Sequence, residues 1–441
     1  MRAISTLQTR AECLFYRVFK KMSMKPLLPV WVAALLLAGA AQAQSYLPPE
    51  AAVRQAVEQS PTVQAADAAR RGTQARADGL RAGPHETVVR AIGQRRWVRD
   101  GSGQRFGEGQ IAIERPLRLW GKSEADAELA DATLATGRVA AQDARHETAR
   151  QLLTLWFAAL RASQARQAAQ DNASAAAELA RITERRLRAG DAARLEAELA
   201  AAEQARMQAA LAAAEATETA ALAELQARFP GLCPQRCAPA EAPVALPEPP
   251  TQPAAPSVTQ MRAHYIEHSH EYLLAQAEEA LALRQARRTD LERHPDPTVG
   301  VFATSERGGA ERLAGVSLSL PLGSVHRETQ AAAALADADA ALSRRLAAER
   351  RLGAEFDVLW SLLGGKRAAA QAQARAAALQ RSAADRALRA YRAGESGLSE
   401  LLAVRRVLAD ALLAERLARS EALESDSRLR LDLHELWDFD D

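Results

Sequence analysis

The chain has 441 residues, of which 57 are lysine or arginine and 55 aspartate or glutamate, so its formal net charge is only +2. Charges that nearly cancel, with no basic block interleaved with aromatics, leave no electrostatic footprint for nucleic acid. Beyond Ala43 no run of about twenty apolar residues occurs, which excludes a membrane-spanning helix and leaves strands as the only way into a bilayer.

At the start, Lys20, Lys21 and Lys25 precede an apolar run from Leu27 to Ala40 and then Ala41-Gln42-Ala43. That order predicts a secretory signal peptide over 1–43, cleaved after Ala43, with Met22 and Met24 as alternative starts and an uncleaved anchor as the other reading. No cysteine stands at the cleavage point, so no N-terminal lipid anchor is expected.

Residues 49–81 are rich in alanine, arginine and glutamine, with Val53, Ala56, Val57 and Val63 at helical spacing, and predict one helix of about thirty residues. Gly83-Pro84 ends it. Thr87 to Val98 then brings β-branched residues, followed by a glycine-rich turn containing Gly101, Gly103, Gly107 and Gly109. Gln110 to Arg115 alternates, Ile111 and Ile113 against Gln110, Ala112 and Glu114, completing a hairpin. Pro116-Leu117 closes the strand, because proline has no N–H for the ladder. From Lys122 to about Leu187, alanine, arginine, glutamate and leucine dominate, predicting a helix of about 100 Å at 1.5 Å per residue. Arg188-Ala189-Gly190-Asp191 turns the chain, glycine supplying the conformation and the acid capping a helix that returns to about Phe229.

Between Phe229 and Ser257 closely spaced prolines forbid helix and central strand, marking a linker over 231–256. It holds Cys233 and Cys237, which in an oxidising compartment most simply close a small disulfide. A two-thiolate metal site is the alternative, but nothing nearby supplies its remaining ligands.

From Val258 the order repeats: helix to Leu291, alternation at Val299, Val301 and Ala303, Gly308-Gly309, alternation at Ala314, Val316, Leu318 and Leu320, Pro321-Leu322, and a helix from Arg327 to about Tyr391. Arg392-Ala393-Gly394-Glu395 turns into a helix ending near Leu433. Landmarks recur about 204 residues on, too long a period for a solenoid unit, so 44–230 and 257–441 are two pseudo-repeats. The fold class is mainly α with a small β part, each repeat contributing one β-hairpin and long α-helices.

Trp156 and Trp360 hold matched mid-helix positions and read as core wedges; Trp97 and Trp120 flank the first hairpin, where aromatics mark membrane interfaces. His264 and His268, four apart and near Glu267 and His270, share one helix face. With no second ligand-bearing segment of comparable spacing, they read as exposed surface, and no metal or cofactor is assigned. No Gly-x-Ser-x-Gly, phosphate loop or His-Glu-x-x-His occurs, so no enzyme is expected. The acidic tail Asp438 to Asp441 has no assignable role.

Four strands cannot close a barrel in lipid, whereas three copies would supply twelve. The repeated Pro-Leu strand ends and Arg-Ala-Gly-acid turns, with the opening segment Pro48 to Ser60, resemble the TolC-like outer-membrane efflux channels over most of the mature chain. Ile113-Glu114-Arg115-Pro116-Leu117-Arg118-Leu119-Trp120-Gly121-Lys122 is most similar to their heavy-metal, CzcC-type branch. The resemblance implies a homotrimer in outer-membrane lipid, a twelve-strand barrel continued by an α-helical periplasmic tunnel, a periplasmic adaptor and an inner-membrane pump of the RND class. It places Arg188, Gly190, Asp191, Arg392, Gly394 and Glu395 at the tips where adaptor hairpins dock; simple turn chemistry is the other reading. Glu196 and Glu400 stand where family members carry tunnel-lining acids, with a solvated helix face as the alternative. A periplasmic coiled-coil adaptor or scaffold is the rival function, but it would nest one central hairpin between split β segments.

Overall fold

The computed structural model describes residues 46–99, 103–232, 257–322, 325–437 and 439. The signal peptide, most of the linker and both of its cysteines lie outside the described residues. Within the first half come α1 (Glu50–Glu58), α2 (Pro61–Ala82), β1 (Val88–Trp97), β2 (Arg105–Pro116), α3 (Lys122–Ala189) and α4 (Arg194–Arg228). In the second half the same order returns as α5 (Val258–His268), α6 (His270–Leu291), β3 (Thr298–Glu306), β4 (Glu311–Ser319), α7 (Val325–Ala393) and α8 (Leu398–Asp432).

The expected single opening helix is two helices in each half. Ser60 takes an extended backbone, ψ 134°, and Pro61 lacks the N–H that would continue the ladder, so α1 stops and α2 starts there. Ser269, at ψ 124°, makes the equivalent break between α5 and α6. α5 itself opens on a capping box, the Ser257 hydroxyl accepting from the Gln260 N–H while the Gln260 side chain accepts from the Ser257 N–H.

α3 and α7 have 68 and 69 residues, so each runs about 100 Å. A helix that long cannot bury its small alanine face on one short neighbour. α2 packs along the first part of α3 and α4 along the rest; α6 and α8 divide α7 in the same way. The halves meet where α3 packs on α6 and α8. Their shared core lies at mid-length: Val53, Val57, Leu152, Trp156, Phe157, Leu225, Phe229, Leu423 and Leu431 are all buried there. Trp156 fulfils the wedge expectation and donates its Nε1–H to the Tyr46 carbonyl at 2.7 Å. Trp360 does not: it is 36 % exposed and stacks on Phe356 of its own helix.

The four strands form one antiparallel sheet in the order β1-β2-β3-β4, the β2–β3 pair joining the two halves. Gly107 and Gly109 belong to β2 rather than to the turn, paired with Arg95 and Gly93. Glycine weakens a strand but does not stop one whose partner is in register.

Candidate functional site

Register sorts the sheet into two chemically distinct faces, because directly paired residues point the same way. One row reads Val89, Ile113, Val301, Val316 and the next Ala91, Ile111, Ala303, Ala314; Val299 and Leu318 extend the band. These side chains are exposed, Val316 at 83 % and Leu318 at 72 %. The opposite face is mixed: Arg90, Gln94, Arg96, Glu108, Gln110, Glu114, Thr298, Thr304 and Ser317 stand there among Val88, Ile92, Phe302 and Leu313. On it Glu108 is buried, accepting from Gln94 Nε2 at 2.8 Å and paired with Arg96 Nε at 3.0 Å. Sequence reasoning missed Glu108, which stands between two glycines and shows its importance only once β1 is laid beside β2.

A polar knot fastens this sheet to the helices. Trp120, at φ 62°, and Gly121, at φ 76°, turn the chain out of β2 and into α3. The turn buries Lys122 completely, with Nζ 3.1 Å from both Glu292 and Asp296 of the second half. Asp296 also accepts from the Leu119 N–H and lies 3.1 Å from His85 Nε2. Burial pushes the Asp296 carboxyl up, but Lys122, the Leu119 N–H and His85 outweigh it and hold the group below the usual carboxylate range. Glu292 is likewise raised by burial and lowered more by Arg288 and Lys122. Arg118 reaches back to the end of α2, donating to the carbonyls of Leu80 and Arg81 and pairing with Asp126 at 2.8 Å. Thus the segment Ile113 to Lys122 is a structural joint between hairpin and helix.

At the far ends of α3 and α7 the two Arg-Ala-Gly-acid turns have one geometry. Gly190 (φ 84°) and Gly394 (φ 78°) are left-handed; the N–H of Asp191 bonds the Arg186 carbonyl at 2.8 Å and that of Glu395 bonds Ala390 at 2.9 Å. Both are Schellman ends. Neither acid caps the returning helix, which corrects the sequence expectation: the N-caps are Ala193 and Gly397, without side-chain caps. Asp191 is used through its backbone, its carbonyl accepting from Arg186 Nη2 at 3.0 Å. Arg188, Gly190, Asp191, Arg392, Gly394 and Glu395 are all exposed.

Glu196 and Glu400 stand three residues past their N-caps, in the first turns of α4 and α8, where a carboxylate complements the helix dipole. Glu196 is half-buried and Glu400 exposed. The tips lean on each other: Tyr391, Leu398 and Leu401 pack with Leu179 and Ala200, and the Arg186 guanidinium lies 5.2 Å above the Tyr391 ring. Behind them Glu203 bridges Arg206 at 2.7 Å and Arg406 at 3.1 Å across the halves, and these arginines hold its carboxyl below the usual range against the effect of burial.

His264 and His268 share one face of α5, as their spacing predicts, with ring centroids 4.0 Å apart. His270 leaves them. It lies instead with His146 of α3 and His434, just beyond α8. Burial, reinforced by Arg150, pulls His146 down to about 4. Among the described residues no helix is long and apolar enough to cross a membrane.

No protein-family model and no curated protein sequence matches the chain, so likeness is carried by structure. The outer-membrane channel OprN superposes with a TM-score of 0.70 at 20% identity, over 88% of this chain and 90% of that one. VceC, an outer membrane protein of Vibrio cholerae, gives 0.69 at 17% identity over 87% and 95%. The CmeC outer membrane channel of Campylobacter jejuni gives 0.67 at 14% identity over 88% and 86%. With its two hairpins in one sheet and its paired long helices, the chain has the fold of these outer-membrane channels.

Proposed function

We propose that the chain is one subunit of a trimeric outer-membrane export duct. Three copies join β4 of one to β1 of the next, twelve strands close with the apolar face in lipid, and the helices continue the wall as a periplasmic tunnel. The observation that carries this reading is the sheet: one face bears a continuous exposed apolar band, the other holds the charged and polar side chains among a few apolar ones, and among the described residues each edge strand has one neighbour. In hydrocarbon each unpaired backbone group costs several kcal/mol, so such a sheet enters a bilayer only when other copies cover its edges. An even strand count per chain leaves β1 and β4 running in opposite directions, so closure is antiparallel like the rest.

The duct performs no covalent chemistry. A periplasmic adaptor docks on the two exposed tips at Arg188, Gly190, Asp191, Arg392, Gly394 and Glu395, and an inner-membrane pump of the RND class supplies the cargo. Glu196 and Glu400, one pair per subunit, line the narrow end with carboxylates that favour cations. The heavy-metal, CzcC-like sequence of the hairpin joint supports metal cations as that cargo. The joined sheet weighs against an adaptor, whose strands would flank one central helical hairpin.

Fractionation of expressing cells, followed by mass measurement in detergent and gel migration with and without boiling, tests the proposal. Recovery in the outer membrane as a heat-modifiable trimer is expected; recovery as a soluble monomer overturns it.

A further inference from the structure

His146, His270 and His434 converge from the middle of α3, the first residue of α6 and the chain just past α8. Ring centroids are 5.3, 5.3 and 5.0 Å apart, and one ring nitrogen of each lies within 4.8 Å of the other two. His146 and His270 are buried and His434 half-buried. Among the described residues this is the one group of three such side chains close enough to share an ion.

Hydrogen bonds fix two of the rings. His146 Nε2 lies 3.2 Å from the Leu431 carbonyl and His434 Nε2 lies 3.1 Å from the His268 carbonyl. A carbonyl only accepts, so each of these Nε2 atoms donates. Backbone carbonyls that set the tautomer in this way are the usual outer support of metal-binding imidazoles. His434, at φ 59°, is the left-handed residue of a Schellman end to α8, the Glu435 N–H bonding the Arg430 carbonyl at 2.8 Å, so the helix end itself fixes where this ring starts.

We propose that His146, His270 and His434 bind a divalent ion of the zinc class, which staples the first half of the chain to the second. Three imidazoles without a thiolate suit zinc and its borderline neighbours rather than calcium or magnesium. Bonds of about 2.0–2.1 Å in a tetrahedral site bring ligand nitrogens to about 3.4 Å, a closure that small side-chain rotations supply from the present spacing. The ion is resident rather than cargo: it sits among packed helices, joining α3 to α6 and to the end of α8. This inference is independent of the duct reading, because it concerns the fold of one chain.

The test uses the full-length protein in detergent with Cys233 and Cys237 replaced by serine, stripped with chelator and dialysed against zinc or cobalt. One zinc per chain, cobalt ligand-field bands in the visible that zinc abolishes, and a rise of several degrees in apparent Tm on adding zinc are expected. H146Q and H434N lose the zinc, asparagine at 434 keeping the left-handed backbone accessible, whereas the H264Q/H268Q pair keeps it. Equal zinc content in H434N and its parent overturns the site. Should the variants fail to fold, the parent decides alone: no cobalt bands overturns it.

Discussion

At the scale of single residues, the strongest demands come from buried charge and from two glycines. Lys122 is fully buried between Glu292 and Asp296, so replacing it by methionine leaves two carboxylates without their shared cation and costs about 3 kcal/mol, by the usual penalty for breaking a buried pair. Because Asp296 and Glu292 are held below their unfolded values, their contribution is fully present above the unfolded carboxylate range, about pH 4, and is lost as pH falls through the folded values. Apparent Tm of the purified protein should therefore drop on acidification toward pH 3, and K122M should start lower and drop less; parallel curves would refute this role. Gly190 and Gly394 make a different demand. A Cβ at either meets no atom within 4 Å, so G190A and G394A carry only the left-handed backbone cost, roughly 1 kcal/mol each. Faster amide exchange at Asp191 and Glu395, with Tm nearly unchanged, is the expected signature. The glycines were legible in the sequence because a turn between two long helices needs a left-handed residue. The Lys122 knot was not, since its partners belong to the other repeat and only the folded chain brings them near.

At the scale of elements, periodicity and breakers read well where the backbone decides, and poorly where packing does. Both 100 Å helices, their glycine ends and all four strands are visible; the break at Ser60 is signalled by Pro61, which the expectation of one opening helix missed, whereas that at Ser269 has no proline or glycine to mark it. The polar first hairpin concealed its own length: Arg105 to Gly109 alternates little, yet pairs in full with β1. Likewise the histidine group was half-read, since spacing along α5 linked His264 with His268 but could not reveal that His270 faces His146 and His434. The sheet makes a prediction of its own. If its apolar band meets lipid, V316R costs about 2–4 kcal/mol at mid-membrane, while T304R on the polar face costs little. Outer-membrane yield and heat-modifiability of the two variants decide it; equal behaviour would remove lipid from that face.

At the scale of the whole molecule, one chain provides an arc of wall and cannot close it. The halves are already locked together by the β2–β3 pair, by the mid-length core and by the ion pairs of α3 with α8, including Arg150 to Asp432 at 2.8 Å and Asp171 to Arg416 at 3.0 Å. What remains uncovered among the described residues is at the edges of the sheet: the outer hydrogen-bonding sides of β1 and β4, with the exposed apolar row Val89, Ile113, Val301 and Val316 running out to both of them. Isolated apolar residues on a surface need no explanation, but an apolar row that crosses a sheet and ends at its open edge strands marks an interface. Copies arranged in a ring satisfy both at once, which gives a sharp test. In a background lacking Cys233 and Cys237, single cysteines placed along the apolar face of β1, at Val89 or Ala91, combined with one at Ala314, Val316 or Leu318 of β4, should cross-link between chains. Register places all five on one face, and the six combinations sample closing staggers of up to about four residues, within which two sulfurs come into disulfide reach. Oxidation in membranes should give covalent dimers and trimers and nothing larger, since a closed ring of three has no free edge. The matching β2 and β3 pair, Ile113 with Val301, should cross-link only within one chain, being neighbours already. A ladder continuing past three would show an open assembly, and the absence of any interchain product over all six combinations would show that β1 and β4 do not meet within about four residues of level register.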